Sequence, residues 1–400
     1  MSIKFSYKTA IISCSLIAGI IFYALHNELI MFKIIPKYSS KSSPDSVAMQ
    51  KKVVKLIFWH LNSWHTEDVD LIWSNDDMAQ NILYLVNRWL TLLDEEKIMD
   101  KKVTLQSVVL SPSGKEAFLS LDRNPLKYED STYLKLMWCE GLLKTIRDNG
   151  IPIEWVRFLV HHALLEDEHI DFTFSWPICG FLSATTYVNQ VGSVQKRSLT
   201  ERVHRLFTIM IDPAGDAKHA GRMLEDNFER GITLSCANCL KHDLEKKYTN
   251  VRVILSRFPG ETLESMQNAN FANRLQVDFY ISIHFYTDTE NDPVILLYQY
   301  AKHPTDSWAR TYVPLSLIPY DQVHLIQSRL TNKWSLILVD EMKKRMHADI
   351  KSLAIPFLPL KGIYAPAVGI EIGLRGKNDW QHYIPSCVEA IGEIIKSASS

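Results

Sequence analysis

From Leu206 onward the chain alternates short apolar runs with stretches of helical periodicity, and this alternation restricts the fold more than any other feature. LFTIMID (Leu206–Asp212), VRVILSR (Val251–Arg257), VDFYISIH (Val277–His284), VILLYQY (Val294–Tyr300) and AVGIEIG (Ala367–Gly373) have strand length and are rich in β-branched and aromatic residues. Glu229–Tyr248, Leu263–Leu275, Asp321–His347 and Ile384–Ser399 read as helices. Near-continuous apolar strands joined by helices predict an α/β domain, its central sheet covered by helices on both faces. Functional residues of such sheets gather at the carboxyl ends of the strands.

The stretch before it reads differently. VVKLIFW (Val53–Trp59), VTLQSVVL (Val103–Leu110), EAFLSL (Glu116–Leu121) and VRFLV (Val156–Val160) are strands, with helices over Asp77–Leu93 and Thr132–Asn149. The order β-α-β-β-α-β predicts a small α+β domain. With LSPSGKEAFLSLDR and VRFLVHHALLEDEHIDFTFSWP, this stretch resembles a GerMN domain, a module of spore-germination and cell-envelope proteins. That resemblance brings no catalytic residues with it.

The N-terminus carries Lys4 and Lys8 ahead of an uncharged apolar run, Thr9–Leu25. Its length is near the lower limit of roughly 17 residues for a membrane-spanning helix. Basic residues before the run place the N-terminus in the cytoplasm and the remainder outside. The reading is an uncleaved anchor; a cleaved signal peptide is the rival, although no A-x-A site follows. The Ser-rich segment after the anchor reads as a tether. The expected organisation is residues 1–33 tail and anchor, 34–51 tether, 52–184 GerMN-like domain, 185–205 linker and 206–400 α/β domain. Lys plus Arg total 44 against 45 Asp plus Glu, a net charge of -1, which excludes a strongly basic nucleic-acid binder. Six cysteines, one of them inside the anchor, leave an odd number outside and make no disulfide framework.

Three polar residues stand where an α/β sheet places its chemistry. His284 ends an apolar strand, Glu371 interrupts the last one, and Glu229 opens a helix. Each alone has an ordinary explanation: a core histidine, a paired buried carboxylate, or a helix-dipole partner. Together with IDPAGDAKHAGR, FERGITL, VILSR, ISIHFY and APAVGIEIGLRGKNDW, they make residues 206–400 similar to the zinc-dependent N-acetylmuramoyl-L-alanine amidases of the Amidase_3 type. The resemblance implies that Glu229 and His284 are zinc ligands and Glu371 is the catalytic glutamate. It also implies peptidoglycan as substrate and an envelope location. The family's first ligand, a histidine, falls on Gly215 of PAGDA. Asp216 or His219 would then supply the third ligand, or the ligand is lost. Two functions follow: hydrolysis of the amide between N-acetylmuramic acid and L-alanine, or an amidase fold that binds peptidoglycan or a partner without hydrolysis. The GerMN-like domain would be a site for an envelope protein partner.

Other chemistry-bearing residues have plainer readings. His60, His65, His161, His162 and His169 suggest a cluster, but adjacent His161 and His162 point to opposite faces of a strand end and read as solvated or hydrogen-bonded. CANC (Cys236–Cys239) lies inside a helix and reads as buried structural cysteines, with a redox pair as the alternative. Thr287–Tyr312, rich in Asp, Tyr and Trp, is either a glycan-binding groove or an ordinary loop.

Overall fold

In the computed structural model, residues 49–182, 206–263, 266–288, 294–306, 318–346 and 349–399 are described. The run Thr9–Leu25, most of the tether and the linker at 185–205 lie outside them. Among the described residues no helix is long and apolar enough to cross a membrane. Ala48–Ser400 form one compact unit in which the two halves pack together.

The first half opens with a long antiparallel hairpin, β1 (Met49–His60) and β2 (Ser63–Ser74). Leu61 and Asn62 both adopt positive φ at its tip, the backbone that a two-residue hairpin turn demands. Helix α1 (Met78–Glu95) starts where the Asp77 side chain accepts a hydrogen bond from Gln80 N. Strands β3 (Leu105–Leu110), β4 (Glu116–Leu121), β5 (Trp155–Val160), β6 (Ala163–Leu164) and β7 (Trp176–Pro177) form the sheet beneath. Helix α2 (Thr132–Asp148) lies between β4 and β5, capped by Ser131. The β2 strand, SWHTEDVDLIWS, was not expected, because its charged residues mask the alternation that only one face needs.

In the second half, β8 (Phe207–Pro213) is followed by the short pair β9 (Met223–Leu224) and β10 (Asn227–Phe228). Next come α3 (Glu229–Lys247), β11 (Val251–Leu255), α4 (Gln267–Leu275), β12 (Phe279–Thr287) and β13 (Val294–Tyr300). Helix α5 (Ser328–Arg345), β14 (Asp349–Ile355), β15 (Ala367–Leu374) and α6 (Trp380–Ser399) complete it. The strands run in the order β11-β8-β12-β15-β13-β14, parallel except where β13 meets β15. The helix expected over Asp321–His347 begins instead as a 3₁₀ turn, Tyr320–Gln327, which buries none of its residues and so has no packed face to hold it in α geometry.

The α/β sheet is as expected; its covering is not. One face, including Ile209, Ile281, Ile370 and Leu297, packs under α3, α5 and α6. The other face, including Met210, Tyr280, Tyr298 and Ala367, packs against α4 and against the first half itself. A single apolar core therefore runs from Val54 of β1 to Ala367 of β15. The first half takes the place of the second helical layer, because the residues of that face need cover of some kind.

Backbone contacts lock this packing. Asp171 N donates to Pro356 O (2.8 Å), Leu358 N donates to His169 O (2.7 Å), and Ile170 bridges Phe357. Phe357 then stacks on Tyr298 and meets the His284 ring edge-on. Gly369 lies beneath it, and a Cβ there would overlap the Phe357 ring. Gly369→Ala should therefore destabilise the protein by about 1–3 kcal/mol through overpacking, measured as a lower midpoint in urea unfolding with unchanged slope.

Candidate functional site

The site is built on the face shared with the first half. In the parallel β12–β15 pair, His284 is the register partner of Glu371, so the two side chains project to the same face near the carboxyl ends of their strands. Glu229, the first residue of α3, reaches the same place, with its Oε1 3.8 Å from His284 Nδ1. The three residues singled out as Glu229, His284 and Glu371 are thus brought together.

Glu229 bridges rather than caps. Its Oε1 accepts from Phe285 N (2.8 Å) and its Oε2 from Arg222 N (3.0 Å). Gly221, at φ +72°, lies against it; a Cβ there would fall 2.8 Å from Glu229 Cβ. Burial pushes the Glu229 pKa up, opposed by the Arg222 charge and those two donors.

Glu371 is completely enclosed (0% exposed). Its carboxylate accepts from Thr132 N (3.0 Å) and Thr132 Oγ1 (2.9 Å) at the N-terminus of α2, and from the Tyr298 hydroxyl (2.7 Å). Arg222 Nη2 stands 2.8 Å away as an ion pair. Arg222 is itself 1% exposed, with Nη1 donating to Phe285 O (3.0 Å) and lying 3.8 Å from Glu229 Oε1. Burial alone would lower its pKa, but the Glu371 and Glu229 carboxylates outweigh that and raise it, so the guanidinium stays charged. Burial also pushes Tyr298 well up, helped by Glu371, which keeps its proton on the donor.

The histidine state follows from its neighbours. Ser282 Oγ donates to Asp212 Oδ2 (3.2 Å) and lies 2.8 Å from His284 Nε2. A hydroxyl has one proton, so Oγ accepts from Nε2–H, and Nδ1 keeps its lone pair. Burial and then the Arg222 charge lower the His284 pKa to about 3, so the ring is neutral. Its Nδ1 has no hydrogen-bond partner. A buried lone pair facing a carboxylate oxygen fits a cation.

Asp216 and His219 are placed elsewhere. Asp216 Oδ1 accepts from Lys218 N (2.8 Å) and His219 N (2.6 Å), and its Oδ2 from Leu263 N (3.0 Å). Burial would raise its pKa, and those donors outweigh it and lower it. The His219 ring, half-exposed, lies against Asp216 at 3.3 Å. Among the described residues, the metal-capable group that closes within 4.8 Å is His169, Glu229 and His284. His169 comes from the first half, and its Nδ1 also lacks a partner. His169 stood out in the sequence only as one of five histidines of the first half, with nothing to link it across a domain boundary to Glu229 and His284, and Arg222 lies in a loop whose path no periodicity reports.

Residues 209–383 match the N-acetylmuramoyl-L-alanine amidase family model (Amidase_3). Over 76 residues the chain is 36% identical to the N-acetylmuramoyl-L-alanine amidase CwlM of Bacillus licheniformis, covering 19% of this chain. The match spans 30% of that relative's length. Among solved structures, the catalytic domain of the amidase CwlV from Bacillus (Paenibacillus) polymyxa var. colistinus is 15% identical, with a TM-score of 0.36, over 48% of this chain and 98% of that one. The CwlD amidase of Clostridioides difficile, in complex with the GerS lipoprotein, is 19% identical, with a TM-score of 0.31, over 48% and 96%.

Other expectations resolve within this frame. His161 and His162, both at positive φ, form the turn between β5 and β6 and are exposed. Cys236 is buried, whereas Cys239 is exposed, which corrects the reading of CANC as a buried pair. Tyr298 and Tyr300 are buried donors to Glu371 and Asp171, not groove walls; Asp292, Trp308 and Tyr312 lie outside the described residues.

The amidase-type half thus depends on Arg222 to balance its buried acids. Arg222→Met should destabilise the protein by about 3–5 kcal/mol at neutral pH, because it strands Glu371 and Glu229 without a cation. Thermal and urea unfolding measure this.

Proposed function

We propose that the chain is an N-acetylmuramoyl-L-alanine amidase of the bacterial cell envelope, hydrolysing the amide between N-acetylmuramic acid and L-alanine in peptidoglycan. The observation that carries this reading is the convergence of Glu229, His284 and Glu371 at the carboxyl ends of parallel strands, inside the region that matches the family model. Glu229 and a neutral His284 suit zinc, which when bound supplies Lewis acidity and an activated water. Ser282 holds the imidazole in the tautomer with Nδ1 free. Glu371 is the residue to take a proton from the attacking water at a carboxylate oxygen and return it to the leaving nitrogen. For that, a Glu371 oxygen must be released by Thr132 and by Arg222, which hold it in the packed structure.

A second reading has its own support. Arg222, Thr132 and Tyr298 occupy every side of Glu371, which suits a protein that keeps the amidase fold to bind peptidoglycan or a partner without cutting it. In both readings Thr9–Leu25 anchors the chain with its folded part outside the cytoplasmic membrane, and the GerMN-like half serves as a contact for an envelope partner.

Incubating the zinc-supplemented chain with purified sacculi separates the readings. Hydrolysis predicts released stem peptides, reduced by about 10²-fold or more in Glu371→Ala and abolished in His284→Ala. Binding to sacculi with no release establishes the second reading.

A further inference from the structure

We propose that His169, from the first half, supplies the third protein ligand of the metal site, so that the site is complete only when the two halves are packed together. The inference rests on the zinc reading above and adds to it a ligand from outside the amidase-type half.

Three observations place His169 there. First, the backbone fixes it: His169 O accepts from Leu358 N, the next residue bridges Phe357, and Asp171 N donates to Pro356 O. His169 N and Ile170 N both donate to Asp167 Oδ1 (2.8 and 3.0 Å), which closes the turn. Second, the ring meets His284 edge-to-face at 5.1 Å between centroids, fully buried, and each ring keeps an unpartnered Nδ1. Two buried imidazoles with idle nitrogens cost hydrogen-bonding energy unless a further group engages them. Third, His169, Glu229 and His284 each offer a donor atom within 4.8 Å of the others. Two imidazoles and one carboxylate form a familiar zinc donor set with a fourth position left over.

Asp216 and His219, the residues expected to supply the third ligand, stand outside this group. Both Asp216 oxygens hold backbone N–H groups of their own loop, and His219 lies against Asp216. The position left by the glycine at 215 is therefore filled from another part of the chain. A metal held this way ties the halves together, and by linkage anything that separates them weakens metal binding by the same factor.

The test uses the whole 400-residue chain. After zinc loading and dialysis, the unaltered chain should retain one zinc, measured by elemental mass spectrometry. His169→Ala should lower zinc affinity at least about 10-fold, while Asp216→Ala and His219→Ala should leave it unchanged. His169→Cys keeps a ligand at the position; with cobalt(II) it should show a near-ultraviolet thiolate-to-metal charge-transfer band that is absent from the unaltered chain and from His169→Ala, which carry all the other cysteines. An unaltered chain without zinc, or undiminished affinity in His169→Ala with no band in His169→Cys, overturns the assignment. Stem-peptide release assayed in parallel keeps the two ideas apart. Release with zinc binding indifferent to His169 overturns this ligand and leaves the amidase. Zinc dependent on His169 without release supports the ligand and overturns hydrolysis.

Discussion

A carboxyl group with no solvent exposure, in the middle of an entirely buried strand, must have its polar oxygens matched by its surroundings. Glu371 is that group, and much of the architecture answers to it. Its strand, β15, is buried along its whole length, so water offers nothing. The compensation is assembled from three places: the N-terminus of α2, the Tyr298 hydroxyl on β13 and the Arg222 guanidinium before β9. The positive end of the α2 dipole adds to the Thr132 donors. A helix of the first half thus completes the electrostatics of the second, which is why the core does not divide at the linker.

The same constraint explains the missing helical layer. An α/β sheet with helices on one side leaves an apolar face of Met210, Tyr280, Leu296 and Ala367 to cover. The first half covers it with its own core, and the polar residues at the strand ends are carried along into the interface. Asp171 takes the Tyr300 hydroxyl and Lys361, and Lys135 pairs with Asp167 beside the histidines. Lys361 and Asp171 thus match charge across the boundary and Lys135 and Asp167 match it beside the boundary, as buried charges require.

Much of this was legible in the sequence where a local pattern reports directly on the structure. VILLYQY, EAFLSL and AVGIEIG form strands with bounds that agree to within a residue; in AVGIEIG, burial on both faces leaves a nearly continuous apolar run. Glu371 stood out for the same reason, a charge inside such a run. β2 and β14 were missed, since a one-sided hairpin strand and an edge strand carry polar residues in half their positions. The convergence of Glu229, His284 and Glu371 followed from the topology rule for strand ends. Arg222 and His169 did not follow from anything local: one lies in a loop and the other in a separate sheet, and only tertiary packing brings them to Glu371 and His284. Residues 215–219 read as a ligand loop only through the resemblance, whose first ligand falls on Gly215. In the fold, those donors are spent on holding the loop's own backbone.

The partners of Glu371 also divide by what an opening motion would remove. Displacing the first half takes away both Thr132 donors and the α2 terminus, and lets water reach the carboxylate. It does not take away Arg222 or Tyr298, which belong to the second half and are held by Phe285 O and the β13 register. The guanidinium therefore stays beside the carboxylate after opening, in a solvated site where an ion pair is worth about 1 kcal/mol or less. In the closed, dry site the same pair is effectively permanent. The burial imposed by the first half, more than the identity of any single side chain, is what makes this pairing strong.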